Sequence, residues 1–154
     1  MTYATLFIGL VLVFLPARML SWTGTTQPAR FGAPQLAGIV VAAAGAAIAI
    51  GCILAFALVG RGTPAPFDPP TRLVVRGPYR YVRNPMYLGA GLALAGAASF
   101  YEAGALWVYA GAFLLLMHAL VVFYEEPTLR QSFGEEYETY CRQVRRWWPR
   151  APGP

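Results

Sequence analysis

Two short stretches of this chain carry side chains able to do chemistry together, Arg83-Asn84-Pro85-Met86-Tyr87 and Glu125-Glu126. In the first, Asn84 suits an N-cap and Pro85 the first position of a helix. A helix start presents free backbone N–H groups and a positive dipole end, which favour a carboxylate or phosphate. Arg83 adds a planar guanidinium that can grip such an anion with two hydrogen bonds. The same residues also fit an ordinary capped helix start. Glu125 and Glu126 are adjacent carboxylates closing an apolar run ahead of Pro127. They offer acceptors to a cation, or they simply open the next helix, whose first turn favours carboxylates. His118 lies two turns before Glu125 on the same helical face. It is either a packing residue or a site residue, of a type that exchanges protons near neutral pH. Tyr79, Tyr81, Tyr87, Tyr137 and Tyr140 flank the two stretches as interfacial anchors or as rings facing a cationic ligand. The combination is a pocket with an anion end, a carboxylate end and aromatic walls.

The elements that must position these residues are apolar helices. Of 154 residues 57% are hydrophobic and 12% charged, which excludes an ordinary soluble domain and allows one domain only. Helices are expected at about 3–20, 36–60, 85–101 and 103–124. The second and fourth reach the roughly 20 residues that a bilayer crossing needs. The first reaches it only with Pro16 accommodated as a kink and Arg18 snorkelling beside an interfacial Trp22. The third is short. Small residues crowd the second (Ala42 to Ala47) and third (Gly89, Gly91, Ala93, Gly96), as close helix packing requires. The expected architecture is an all-α integral membrane bundle of four spanning helices with a C-terminal amphipathic helix over about 126–146.

Charge placement orients this bundle. The net charge of +5 comes from twelve arginines and no lysine, set between the apolar runs, which fits a membrane protein rather than a nucleic-acid binder. Arg61, Arg72, Arg76, Arg80 and Arg83 fill one connection against the single Asp68, so that connection is assigned to the cytoplasm. The tail, with Arg130, Arg142, Arg145, Arg146 and Arg150, falls on the same side after an even number of spans. Both termini are then cytoplasmic, in a bacterial-type inner membrane. The prolines of residues 63–70 favour a stiff, extended path. In the tail Leu129, Phe133, Tyr137, Tyr140, Val144 and Trp147 recur at helical spacing, with charged residues on the remaining face. Cys52 lies in an apolar run and Cys141 in a polar one, which supports neither a disulfide framework nor a metal site. The N-terminal stretch lacks a basic start and a small-residue cleavage pattern, so it reads as a retained helix.

Taken in order, Gly77-Pro78-Tyr79, Arg83-Asn84-Pro85-Met86-Tyr87-Leu88-Gly89, Glu125-Glu126, Phe133-Gly134-Glu135-Glu136-Tyr137 and Arg146-Trp147-Trp148-Pro149 resemble the isoprenylcysteine carboxyl methyltransferase and phospholipid methyltransferase families. The resemblance covers residues 63–150. It implies a membrane methyltransferase that uses S-adenosylmethionine, whose carboxylate needs donors, whose ammonium needs acceptors and whose sulfonium suits aromatic or carboxylate neighbours. By that resemblance and the reading above, Arg83, Asn84, Pro85, Tyr87, Gly89, His118, Glu125, Glu126 and Tyr137 are expected at the cofactor, and Tyr87, Glu126 and Arg130 among the reacting groups. Asn84 stands where those families carry a histidine, so an amide replaces an imidazole. The methyl acceptor is expected to be small or lipophilic, with membrane lipid as a neighbour, no nucleic acid, and a homo-oligomer as one way to shield the short third helix. The alternatives are an NADPH-dependent membrane reductase of the steroid 5-alpha-reductase type and a non-catalytic membrane protein retaining the fold.

Overall fold

The computed structural model describes residues 8–25, 28, 30–56, 58 and 72–149. The proline-rich stretch 63–70, residues 3–7 of the first apolar segment, Arg61 and Arg150 lie outside the described residues. The fold is all-helical, with no strand among the described residues. Its elements are α1 (Leu15–Trp22), α2 (Ala33–Ala55), α3 (Pro85–Tyr101), α4 (Gly104–Leu120), α5 (Glu126–Phe133) and α6 (Glu135–Gln143), with a 3-10 turn at Gly77–Arg80. Two stretches are long and apolar enough to cross a bilayer, Ala33–Ala55 and the continuous run Gly104–Phe133. Large apolar side chains point outward from them, Val108 at 74% and Phe123 at 81% exposure, as expected where lipid is the solvent.

Two prolines shape the helices in the same way. Pro16 and Pro127 each follow, two residues on, a single widened π turn, Leu10–Phe14 and Val121–Glu125. Leu15 N–H reaches back to the Leu10 carbonyl, and Glu126 N–H to that of Val121. A proline ring clashes with the carbonyl four residues earlier and brings no N–H of its own. Widening the preceding turn relieves that clash without ending the helix, so Pro16 is absorbed as a bulge. The tail, expected as one helix, is two, because Gly134 takes φ 52° and ψ −124°, a conformation open to glycine alone.

The chain forms two compact units, Met1–Ala47 with Gly89–Leu115, and Ile48–Leu88 with Leu116–Pro154. In the first, α2 and α3 touch backbone to backbone. A Cβ on Gly38 would lie 2.6 Å from the Gly96 carbonyl oxygen, and one on Gly96 2.6 Å from the Ala42 nitrogen. Gly45 abuts the Gly89 carbonyl equally closely. Small residues are what permit this approach, since lipid supplies no hydrophobic drive to bring helices together. Gln35, 1% exposed, closes the same pair: its carbonyl accepts from Gly32 N–H at 2.8 Å and its amide donates to the Phe100 carbonyl and to Glu102, each at 3.2 Å.

In the second unit Cys52, Ala55, Val74 and Tyr79 form one buried cluster, and Leu73, Tyr137, Tyr140 and Val144 another. The latter binds the tail to the segment that precedes α3. Within the first unit, Gly96→Val is expected to lower stability by about 2 kcal/mol, as overpacking does. Gly111→Ala, whose new methyl would meet nothing within 4 Å, should be neutral or stabilising by up to about 1 kcal/mol. Thermal unfolding of the detergent-purified variants measures both.

Candidate active site at the starts of α3 and α5

The π turn ending at Glu125 decides where the two carboxylates go. One extra residue in a turn rotates the rest of the helix by about a quarter of its circumference, and the two glutamates find different partners. Glu125 accepts a hydrogen bond from the Tyr87 hydroxyl. Glu126, with 4% of its side chain exposed, sits among three arginines. Arg146 grips it with two hydrogen bonds, Nε to Oε1 at 2.6 Å and Nη2 to Oε2 at 2.9 Å. Arg83 Nη1 lies 3.3 Å from Oε1 and Arg130 Nη2 3.5 Å from Oε2. Arg130 also donates to the exposed Glu138 at 2.7 Å, and its guanidinium lies 5.9 Å from the Tyr137 ring centre.

Around this cluster the tail is pinned to the segment before α3. Arg83 N–H donates to the Arg145 carbonyl at 2.9 Å, making an isolated parallel bridge between Val82 and Arg145. The Asn84 amide donates to the Arg146 carbonyl at 3.3 Å, while its own carbonyl accepts from Leu88 N–H at the start of α3. Tyr140 donates its hydroxyl to the Tyr79 carbonyl at 2.6 Å. Burial pushes the Tyr140 and Tyr137 phenols well above the ordinary tyrosine range, and the nearby Cys141 adds to both shifts, so both remain protonated donors. Arg83 Nη1 also lies 2.7 Å from the Cys141 sulfur, whereas its Nε is buried with no hydrogen-bond partner among the described residues.

The structure thus brings together Arg83, Asn84, Glu126, Arg130 and Tyr137, and pairs Tyr87 with Glu125. Pro85 is fully buried. Two expected site residues serve other contacts: the Gly89 carbonyl abuts Gly45 of α2, and His118, exposed, accepts at Nδ1 from the Trp147 indole N–H at 3.0 Å. The helical face that His118 shares with Glu125 in an ideal helix is lost across the intervening π turn. Cys141 does not stand out in the sequence as a site residue, since a lone cysteine in a polar stretch carries no signal until Arg83 is found beside it.

Removing a partner from a buried ion cluster strands the others. Glu126→Ala, which leaves three guanidiniums facing one another, is expected to destabilise by about 3–5 kcal/mol. Glu138→Ala, breaking an exposed pair, should cost under about 1 kcal/mol. Thermal unfolding in detergent at low and high salt separates the two, since only the exposed pair is screened.

A family model described as phospholipid methyltransferase matches residues 33–136, well over half of the chain. No curated protein matches the chain, and no solved structure does. The matched stretch runs from α2 into the first turn of α6, so it includes Arg83 to Tyr87, Glu125, Glu126 and Arg130 and stops short of Cys141 and Arg146. The chain belongs to the phospholipid methyltransferase family, the family of the isoprenylcysteine carboxyl methyltransferase-like integral membrane methyltransferases.

Proposed function

We propose that this membrane methyltransferase uses S-adenosylmethionine and methylates a small or lipophilic carboxylate, amine or thiol at the cytoplasmic membrane face. The supporting observation is the buried Arg83 Nε–H beside the start of α3, a donor with no acceptor among the described residues. A buried polar group left unpaired is costly. A ligand carboxylate would complete it, and the start of α3, two residues along the chain, would add its positive dipole end. Glu125 supplies the complementary end: one oxygen takes the Tyr87 hydroxyl and the other suits an ammonium. The donor set therefore fits an amino-acid moiety. When bound, the cofactor supplies an electrophilic sulfonium methyl, and the protein's share is orientation and exclusion of water, which account for much of the rate in such displacements.

Within this reading Tyr87, Glu125 and Arg83 contact the ligand. Glu126, expected among the reacting groups, becomes a positioning residue, because its two oxygens are already taken up by arginines. Arg130 and Arg146 hold Glu126, and Tyr137 walls the cluster. The proposal also includes four spans, a single domain, both termini in the cytoplasm of a bacterial-type inner membrane, lateral entry of the acceptor from lipid, and homo-oligomerisation around the 17-residue α3.

Calorimetry on the detergent-purified protein should register S-adenosylhomocysteine. Glu125→Gln, close to the natural shape, should weaken that binding by about tenfold or more, because hydrogen bonds to charged groups contribute about 1.5–3 kcal/mol. Trp148→Ala, at an exposed position, should leave it unchanged. Binding of NADPH with no response to S-adenosylhomocysteine would overturn the reading in favour of a reductase. Binding of neither would favour a non-catalytic protein. Membranes given labelled S-adenosylmethionine, then split into lipid and protein fractions, identify the acceptor class.

A further inference from the structure

Helix α6 has two working faces. Tyr137 and Cys141 turn toward the Arg83 cluster, whereas Glu136, Thr139 and Gln143, offset by about two-fifths of a turn, line a groove of about 850 Å³. Its opposite wall is the segment leading into the 3-10 turn, with Arg76 and Arg80 at the two ends of that turn. Leu73 and Val144 give it an apolar floor. Among the described residues neither Arg76 nor Arg80 enters an ion pair: the arginines that do are Arg83, Arg130 and Arg146. Arg80 is instead stacked over Tyr81, its guanidinium 5.4 Å from a ring that is itself 44% exposed. Two guanidiniums outside the ion pairs of the described residues, set above apolar side chains, are the complement of a phosphate carried by an amphiphile.

The depth of the groove says where that phosphate comes from. The 3-10 turn rests on the end of the span-length helix α2: a Cβ on Gly51 would meet Pro78 at 3.0 Å, and one on Gly77 would meet Ala55 at 3.4 Å. The groove therefore opens within a turn of the apolar limit of α2, the level at which lipid phosphates lie. We propose that this groove binds the phosphate of a phospholipid headgroup through Arg76 and Arg80, apart from the methyl-transfer site. Glu136, the one carboxylate in the lining, selects headgroups that carry a hydroxyl or ammonium donor next to the phosphate. The role is anchorage: a held lipid fixes the segment before α3 against α6 from the side opposite the ion cluster. This inference rests on the reading of α2 as a membrane span, not on the identity of the cofactor.

The test uses the full chain in an uncharged detergent and titrates water-soluble dihexanoyl-phosphatidylglycerol by calorimetry, with glycerol phosphate and inorganic phosphate in parallel. The lipid should bind, and Arg76→Gln with Arg80→Gln should weaken it by about fivefold singly and about 30-fold together, from the interfacial contribution of each basic residue. S-adenosylhomocysteine binding should be unchanged in the double variant. Equal affinity for inorganic phosphate and for the lipid would assign the groove to a free phosphate compound and overturn the lipid. Lipid binding that survives the double substitution would overturn the site. Lipid binding in a protein that ignores S-adenosylhomocysteine would keep this site while removing the methyl-transfer reading, and the reverse result would do the opposite.

Discussion

Glu126 has lost nearly all of its water, and a carboxylate in that position costs several kcal/mol unless opposite charges replace its hydration. Three guanidiniums do so, and they come from three separate places in the chain: just before α3, one turn further along α5, and past the end of α6. Each arginine must stay where it is for the carboxylate to stay buried. Fixing Arg83 fixes the start of α3, and with it Asn84 and Tyr87. Fixing Arg146 draws the chain after α6 across that start, which lets Arg145 and Arg146 offer carbonyls to the backbone of Arg83 and the side chain of Asn84. A well-packed apolar cluster would stabilise as much or more. What ions add is a single permitted geometry, which is what a site built from three distant segments needs.

The clamp also depends on a local backbone device. Without the π turn at Val121–Glu125, Pro127 would press on the carbonyl four residues before it. With the turn, the helix continues and both glutamates are rotated onto their partners. The same solution stands at Pro16, where the described residues show no cluster of charges, so the bulge is a consequence of proline in a long apolar helix and not itself a mark of function. The chemistry at the second bulge comes from the residues it re-aims.

Some of this was legible in the sequence and some was not, for identifiable reasons. Length and apolarity dictate that α2 and α4 are helices, because a backbone in lipid must satisfy its own hydrogen bonds. The runs of glycine and alanine mark the close approach of α2 and α3, since only small residues allow it. That Arg83 and Glu126 lie at corresponding helix ends could be read from where the apolar runs begin and stop. Which glutamate takes which partner could not, because periodicity assumes 3.6 residues per turn and a π turn breaks the count. The same break separates His118 from the face that ideal spacing gives it. Gly134 escapes a reading by pattern because the helical recurrence of apolar residues continues across it, and periodicity alone does not register a conformation that only glycine adopts.

The two glutamates end with opposed burdens, and the difference arises from charge neutralisation. Glu126 is over-compensated, with more positive charge around it than it can cancel, so it is held and has nothing left to offer a cation. Glu125 takes the neutral Tyr87 phenol and, among the described residues, pairs with no arginine. Excess positive charge remains on Arg83, whose Nε–H has no acceptor among the described residues. Among the described residues the two motifs thus leave one guanidinium N–H without an acceptor and one carboxylate without a cationic partner. The amino-acid end of the proposed cofactor carries both charges, and so would match that pair better than a simple anion or a simple cation.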